Sequence, residues 1–320
     1  ASDLRGLKYI DQNFPKVQII NTPKLNNILL LPINFLIIIF LIIKSIILLK
    51  KEKINKLIST GGYMSLPLCL SARLLGLDIY LIEPNLVLGR ANKFFLYFCK
   101  KIFCHSDRIK NFPANFKNKI VIIKPLVRKE FYQKNMNIKK NEKFNLLIVG
   151  GSQGADFFDN FFKSAILKIS KKISFKIFHQ TSLKNLDHLK SFYDQNDIEN
   201  YIFSFESEFV KILHQSDLCI TRAGASSLAE LSISNIPFIA IPLPSAKDNH
   251  QFENAIYYEK NGCCWIFNQN FSDKEIEENL SKIIENRNEY EKKKKNLDNL
   301  NYENNWNNVN QKLIENINEN

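Results

Sequence analysis

The sequence predicts an α/β protein made of two successive parallel-sheet domains, and three observations carry that prediction. Short apolar runs alternate with helical segments along most of the 320 residues, a length that suits two domains of ordinary size. A polar, Lys- and Asn-rich stretch at 129–143 divides this alternation into two series. The second series opens on Phe144-Asn145-Leu146-Leu147-Ile148-Val149, continues as Gly150-Gly151-Ser152-Gln153-Gly154-Ala155, and leads into apolar residues at helical spacing over 156–170. The apolar run reads as a buried parallel strand. Strand, glycine turn and helix aim free backbone N–H groups and the positive end of a helix at a bound phosphate. There is no Gly-Lys-Ser/Thr ending and no three-glycine dinucleotide fingerprint. The competing reading is a glycine turn that only tightens a strand–helix joint.

Composition narrows the partners. Net charge is +12, from 44 basic and 32 acidic side chains, which favours anionic ligands. No RRM, zinc-finger or helix-turn-helix signature accompanies that charge, and the lysines are scattered, so nucleic acid is not expected. Six cysteines occur, none in a CxxC pair and all with apolar neighbours, as reduced core thiols would be. Cys104-His105 lacks a second ligand pair that would complete a metal site. The chain opens on Ala1 with neither a signal-peptide pattern nor the hydrophobic strand that usually starts an α/β domain. A strand and loop ahead of residue 1 are therefore expected.

Residues 28–49 form the first long apolar segment, interrupted by Pro32, Asn34, Lys44 and Ser45 and followed by Lys50, Lys51, Lys53 and Lys56. Three readings fit its length: a helix docked in the interface of an anionic membrane, a buried core helix, or a membrane span. The adjoining basic cluster favours docking. Strands follow at 56–60, 79–82 and 119–123, the first leading through Gly61-Gly62-Tyr63 into a helix and the second ending in Glu83-Pro84-Asn85. After 129–143 come strands at 144–149, 175–179, 201–205, 218–221 and 238–242, and a charged helical tail over 272–320.

In open α/β sheets ligands bind beyond the carboxyl ends of the strands. Three clusters lie there besides the 150–155 loop: His179-Gln180-Thr181; Thr221-Arg222-Ala223-Gly224-Ala225 with Glu230 further along; and Asp248-Asn249-His250-Gln251 with Asn254. Two glycine turns at helix N-termini suit a diphosphate, a carboxylate just beyond suits the hydroxyls of a ribose, and His250, Gln251 and Asn254 offer neutral donors and acceptors for a sugar. Together they describe a nucleotide-sugar site.

These motifs, in this order, resemble the MurG family of membrane-associated UDP-N-acetylglucosamine:undecaprenyl-pyrophosphoryl-muramoyl-pentapeptide N-acetylglucosaminyltransferases. Asp3-Leu4-Arg5-Gly6-Leu7-Lys8-Tyr9-Ile10, Gly61-Gly62-Tyr63, Glu83-Pro84-Asn85 and Pro125-Leu126-Val127-Arg128 extend the match over nearly the whole chain. The resemblance implies a GT-B fold, two Rossmann-like domains with parallel sheets facing across a cleft. It implies an acceptor and membrane-docking domain over 1–130, a linker at 131–143, a UDP-GlcNAc-binding domain over 144–290, and a helical segment at 291–320 packing back on the first domain.

The resemblance also assigns roles. Ser152, Gln153 and Gly154 would cradle the diphosphate, with Ala223, Gly224 and Ala225 as the second glycine turn. Glu230 would hold the ribose, Phe205 and Glu206 would flank the uracil, and His250 and Gln251 would contact the GlcNAc. Arg128 would approach the phosphates, and Asn85 lies on the acceptor side. Two positions depart from the family pattern: Pro84 stands where the family usually has Gln, and His250 where Gln is frequent. The family's Gly-Gly-Thr-Gly-Gly-His loop, with its favoured general base, precedes the segment matching Asp3 to Ile10, and no catalytic residue is identified in this chain. The implied reaction is inverting transfer of GlcNAc from UDP-GlcNAc to lipid I, giving lipid II in peptidoglycan synthesis at the cytoplasmic face of the inner membrane. No cofactor and no metal are implied. A GT-B transferase with another lipid acceptor and a non-catalytic sugar-nucleotide-binding protein are the alternatives.

Overall fold

The computed structural model describes residues 17–23, 30–132, 143–151 and 155–319. The chain divides into two compact units, one of residues 1–124 with 313–320 and the other of residues 125–312.

The first unit holds four parallel strands in sequence order: β1 (Lys56–Ser59), β2 (Asp78–Glu83), β3 (Lys101–Cys104) and β4 (Ile120–Ile122). Its helices are α1 (Leu31–Lys51), α2 (Leu66–Leu74) and α3 (Arg90–Phe95). Strand β3 was not expected from the sequence; the run Lys-Ile-Phe-Cys is short and opens on a charge, yet Ile102, Phe103 and Cys104 are buried. α1 starts with Pro32 in its first turn, where a missing N–H is harmless. It lays one row, Asn34, Ile38, Leu41, Ser45 and Leu49, into the unit. Ser71 of α2 reaches it by donating to Ile42 O at 2.9 Å. The opposite face, including Phe35, Leu36, Phe40, Ile43 and Ile47, is exposed. The chain's last helix, α12 (Trp306–Asn318), ends on this sheet. Lys56 Nζ and Tyr80 Oη donate to Ile317 O at 2.7 and 3.0 Å, satisfying a carbonyl at the helix terminus where a cation is also favoured.

The second unit holds six parallel strands: β5 (Phe144–Val149), β6 (Phe175–Gln180), β7 (Glu199–Phe203), β8 (Leu218–Thr221), β9 (Phe238–Ala240) and β10 (Cys264–Ile266). Their spatial order is β10-β9-β8-β5-β6-β7. The sheet grows outward in both directions from β5, so the strand order reverses between β5 and β8. That is the switch point at which a doubly wound sheet opens a crevice beyond its carboxyl ends. Val149 and Thr221 are register partners there, so the glycine loop and the Arg222–Ala225 turn leave neighbouring strands at the same level. Both faces are covered, as the apolar runs foretold. Leu147, Phe178, Cys219 and Phe238 sit in one core with Leu228 and Tyr258. Leu146, Ile148, Ile177, Ile220 and Ile239 sit in the other with Phe158, Phe162, Ile166 and Leu280. The helices of this unit are α4 (Ala155–Phe161), α5 (Lys163–Ser170), α6 (Leu186–Gln195), α7 (Phe209–Gln215), α8 (Ala225–Ile233), α9 (His250–Lys260), α10 (Asp273–Glu285) and α11 (Arg287–Leu300), followed by the start of α12.

Several boundaries differ from those expected. The helix over 156–170 is two, broken at the fully buried Phe162. β7 ends at Phe203 because its pairing with β6 ends at Gln180; Phe205, 67% exposed, lies beyond it. The short β10 was not foreseen. Phe131, placed in a linker over 131–143, is fully buried in the core of the second unit, whose compact boundary falls at Pro125. The tail expected at 291–320 starts inside α11, whose Leu297 belongs to that same core.

Candidate functional site at the strand-order switch

The first loop leaves β5 at Gly150. Gly151 has φ +64, a left-handed conformation that favours glycine, and an added Cβ would meet nothing within 4 Å. Conformation, not space, requires glycine here. The Gly151 N–H donates to Gln180 Oε1 at 3.1 Å, tying the loop to the end of β6. Gln180 was not singled out for this role. Ser152, Gln153 and Gly154 lie outside the described residues.

The second turn leaves β8 through Arg222 and Ala223. Gly224 is the N-cap of α8 with φ −67 and ψ 136, extended backbone open to any residue, so the expected glycine turn has no conformational need of glycine. Its Cβ would meet only Ser227 Oγ, at an ordinary 3.8 Å. No side chain among the described residues caps this helix, which leaves its first-turn N–H groups, that of Ala225 among them, open to an anion. Asn254 of α9 is buried and donates to Ala223 O at 3.2 Å. It braces the turn rather than facing a sugar, a correction to the expectation above.

Glu230, half-buried and about a turn and a half into α8, accepts no hydrogen bond among the described residues. Burial raises its pKa to about 7; the Arg128 guanidinium opposes that rise and Glu130 adds to it. Arg128 pairs with Glu130 at 2.8 Å and lies over the Phe131 ring. Arg128 and Glu230 thus share one electrostatic neighbourhood.

Asp248 and Asn249 both adopt left-handed backbone (φ 54 and 56) immediately before α9. Short amide and carboxylate side chains tolerate this better than most, and such strain gathers at functional turns. The turn presents His250, whose Nδ1 bonds Lys247 O at 2.7 Å, and Gln251, whose Oε1 accepts from Leu243 N at 2.9 Å. The Gln251 amide nitrogen keeps its donors free among the described residues. Phe205 and Glu206 follow β7, two strands from β5. Glu206 accepts from Tyr201 Oη at 2.8 Å and from the Glu208 N–H at 2.9 Å, and these bonds, led by the Glu208 N–H, hold its pKa below the usual carboxylate range.

In the His179–Thr181 cluster, His179 and Thr181 are buried and closed to a ligand. His179 is fully buried, bonds Tyr193 Oη through Nδ1 at 2.8 Å, and is kept neutral by burial, with its pKa lowered to about 3. Asp159 lies 3.6 Å from its Nε2, too far for a good hydrogen bond, so neutral imidazole is the consistent state. Thr181 Oγ1 and Asn185 Nδ2 both donate to Asp159, at 2.7 and 2.8 Å.

In the first unit, Asn85 is held by the buried Glu83, whose Oε1 accepts from the Asn85 N–H and Nδ2, both at 3.1 Å. Oε2 of Glu83 accepts from the Gly89 N–H at 2.8 Å and from Asn92 Nδ2 at 2.9 Å. Gly61 (φ +78) is pinned against the same Asn92, which an added Cβ would strike at 2.7 Å. This clamp on the Gly61 and Asn85 loops was not read from the sequence, because its members are spread over 32 residues. Among the described residues, no three His, Cys, Asp or Glu side chains gather as a metal site needs.

Comparison with known proteins adds the family. Residues 8–104 match the glycosyltransferase family 28 N-terminal domain, and residues 145–309 match the glycosyltransferase family 28 C-terminal domain. A UDP-N-acetylglucosamine--N-acetylmuramyl-(pentapeptide) pyrophosphoryl-undecaprenol N-acetylglucosamine transferase of Pelagibacter ubique is 51% identical, over 100% of this chain and 90% of that protein. One from Rickettsia bellii is 33% identical over 92% and 85%. Among solved structures, MurG of Acinetobacter baumannii superposes with TM-score 0.74 at 24% identity, covering 98% of this chain and 87% of that one. The UDP-GlcNAc 2-epimerase of Neisseria meningitidis, bound to UDP-GlcNAc, gives 0.64 at 14% identity over 98% and 90%. At such identities the superpositions speak to the fold, which is that of GT-B-like proteins with two Rossmann-like domains, as expected. The sequence relatives go further: the chain is a glycosyltransferase of family 28 and belongs to the MurG family of N-acetylglucosaminyltransferases.

Proposed function

We propose that the chain transfers N-acetylglucosamine from UDP-N-acetylglucosamine to the C4 hydroxyl of undecaprenyl-pyrophosphoryl-N-acetylmuramoyl-pentapeptide (lipid I), forming lipid II for peptidoglycan. The relative at 51% identity bears both substrates in its name. The observation that carries the donor half is Glu230: a part-buried carboxylate without a hydrogen-bond partner among the described residues, just past an uncapped helix N-terminus at the strand-order switch. Two ribose hydroxyls would supply the missing donors and favour the ionised form.

The donor's diphosphate lies against the first turn of α8 and the 150–155 loop, with Arg128 approaching from beside Glu230. Phe205 and Glu206 flank the uracil, and His250 and Gln251 contact the sugar. The acceptor hydroxyl, giving its proton to a base, attacks the anomeric carbon from the face opposite the diphosphate, so configuration inverts. The C–O bond to phosphate breaks and its electron pair leaves on UDP, where backbone N–H groups stabilise the developing charge. Asn85 belongs to the acceptor side.

The exposed face of α1, with Lys50, Lys51 and Lys53 at its end, suits peripheral attachment to an anionic bilayer on the cytoplasmic side. The row it buries against its own unit argues for docking over spanning. Flotation with phosphatidylglycerol vesicles tests this. Phe40→Asp should lower the bound fraction several-fold, about what burying an aromatic side chain contributes; an unchanged fraction speaks against it.

The reaction is tested with labelled UDP-GlcNAc offered to the full gene product with lipid I or with diacylglycerol. Labelled lipid II is the expected product. Labelled glycosyl-diacylglycerol, or tight UDP-GlcNAc binding with no turnover, would overturn the assignment.

A further inference from the structure

Arg222 is the first residue past β8, at the strand-order switch, and it is only 9% exposed. Its guanidinium lies over the rings of Phe157 and Phe158 in α4, at 4.5 and 4.9 Å from their centroids. Nη1 donates to Ile241 O, just past β9, at 3.3 Å and to Gln269 Oε1, just past β10, at 3.2 Å. Nε is buried with no acceptor among the described residues. No carboxylate among the described residues pairs with this cation, and burial alone lowers its pKa.

Two rings and two neutral oxygens offset only part of the desolvation of a buried guanidinium. Folding stability alone does not favour such a group, because an apolar side chain of similar volume would be as good or better. The charge sits where four pieces of the strand-end crevice meet: the turn before α8, α4, and the ends of β9 and β10. An anion bound at the turn before α8 would supply the counter-charge that the protein withholds.

We infer that Arg222 is a positioning residue of the diphosphate subsite, clamping the turn before α8 to α4 and contributing a buried positive charge that is compensated when the donor's diphosphate binds. This rests on the donor-site reading above. The clamp acts through the rings of Phe157 and Phe158, and the charge acts on the phosphates at a distance. Arg222 is therefore not itself a catalytic group.

The test compares UDP with UMP by calorimetry on Arg222→Met, alongside the thermal midpoint of the ligand-free protein. UDP affinity should fall on the order of 10-fold more than UMP affinity, because UDP presents the larger charge to the subsite. The ligand-free midpoint should match or exceed that of the parent, because an uncompensated charge has been removed. Equal losses for the two nucleotides, or no loss, would overturn the inference. If the Met variant does not fold, Arg222→Lys carries the test: the charge stays, the planar fork goes, and the UDP-over-UMP preference should stay within about 3-fold of the parent while both affinities drop. Unchanged affinities, or failure of both variants to fold, contradict a role in the subsite. Glu230→Ala separates the two readings. If it leaves UDP binding intact, the donor-site reading fails; if it weakens UDP binding while Arg222→Met does not, only the present inference fails.

Discussion

The ends of β6 and β8 both deliver a polar cluster to the carboxyl edge of the same sheet, yet the first is buried and the second leaves polar groups open. After β6, His179 and Thr181 are buried and bond internally, to Tyr193 and to Asp159, and the atoms left unmatched, His179 Nε2 and Asp159 Oδ1, are sealed from solvent. After β8, the first turn of α8 has no side-chain cap and Glu230 has no hydrogen-bond partner among the described residues. Position at a strand end is thus a poor guide by itself. What sets the β8 end apart is open polar capacity within reach of solvent, and the proposed donor site rests on that difference.

The largest expected effect breaks the β6 cluster. Asp159→Ala strands the buried Thr181 hydroxyl and leaves the Asn185 amide with Asp156 alone, and should lower stability by about 1–3 kcal/mol in urea unfolding. Affinity for UDP-GlcNAc should be unchanged; a matching loss of affinity would make this cluster part of the site. Gly224→Ala probes the other side. The added methyl fits within the protein, 3.8 Å from Ser227, and Ala is a poorer N-cap than Gly, so stability should fall by less than about 1 kcal/mol. Affinity for UDP-GlcNAc should fall on the order of 10-fold, because the methyl stands where a phosphate approaches the backbone. Loss of stability without loss of affinity would return Gly224 to a purely structural role.

A smaller effect reads the open carboxylate through pH. The folded protein raises the pKa of Glu230 to about 7, so folding favours its protonated form. That contribution is complete below the ordinary carboxylate pKa near 4.5 and is lost as pH rises through about 7. Glu230→Gln should therefore gain on its parent between pH 5 and 8, by on the order of 1 kcal/mol in unfolding measurements on the ligand-free proteins. A constant gap across that range would contradict a strained, unpartnered carboxylate.

The same contrast explains what was legible in the sequence. β5 and β8 were read to the residue, because strands covered on both faces appear as unbroken apolar runs. β3 and β10 are not legible in the same way: Lys-Ile-Phe-Cys opens on a charge, the second of two lysines, and Cys-Trp-Ile is only three residues long. Phe131 was placed in a linker because its neighbours are polar, and only tertiary packing puts it in a core. Sequence reading selects Gly150–Ala155, Gly224, Glu230 and His250–Gln251 by their place after strands. The same rule also selected His179–Thr181 and Asn254, since spacing along a chain does not reveal whether a polar group is already partnered. Arg222 lies inside a recognised motif, and only its burial without a counter-charge among the described residues sets it apart.

The most direct test of an open donor site after β8 is calorimetric titration of UDP-GlcNAc into the parent and Glu230→Ala proteins. Loss of the carboxylate should weaken binding by about 1–3 kcal/mol, the usual consequence of stranding buried polar partners. Equal affinity in the two proteins would contradict the ribose role of Glu230 and, with it, the placement of the donor at the strand-order switch.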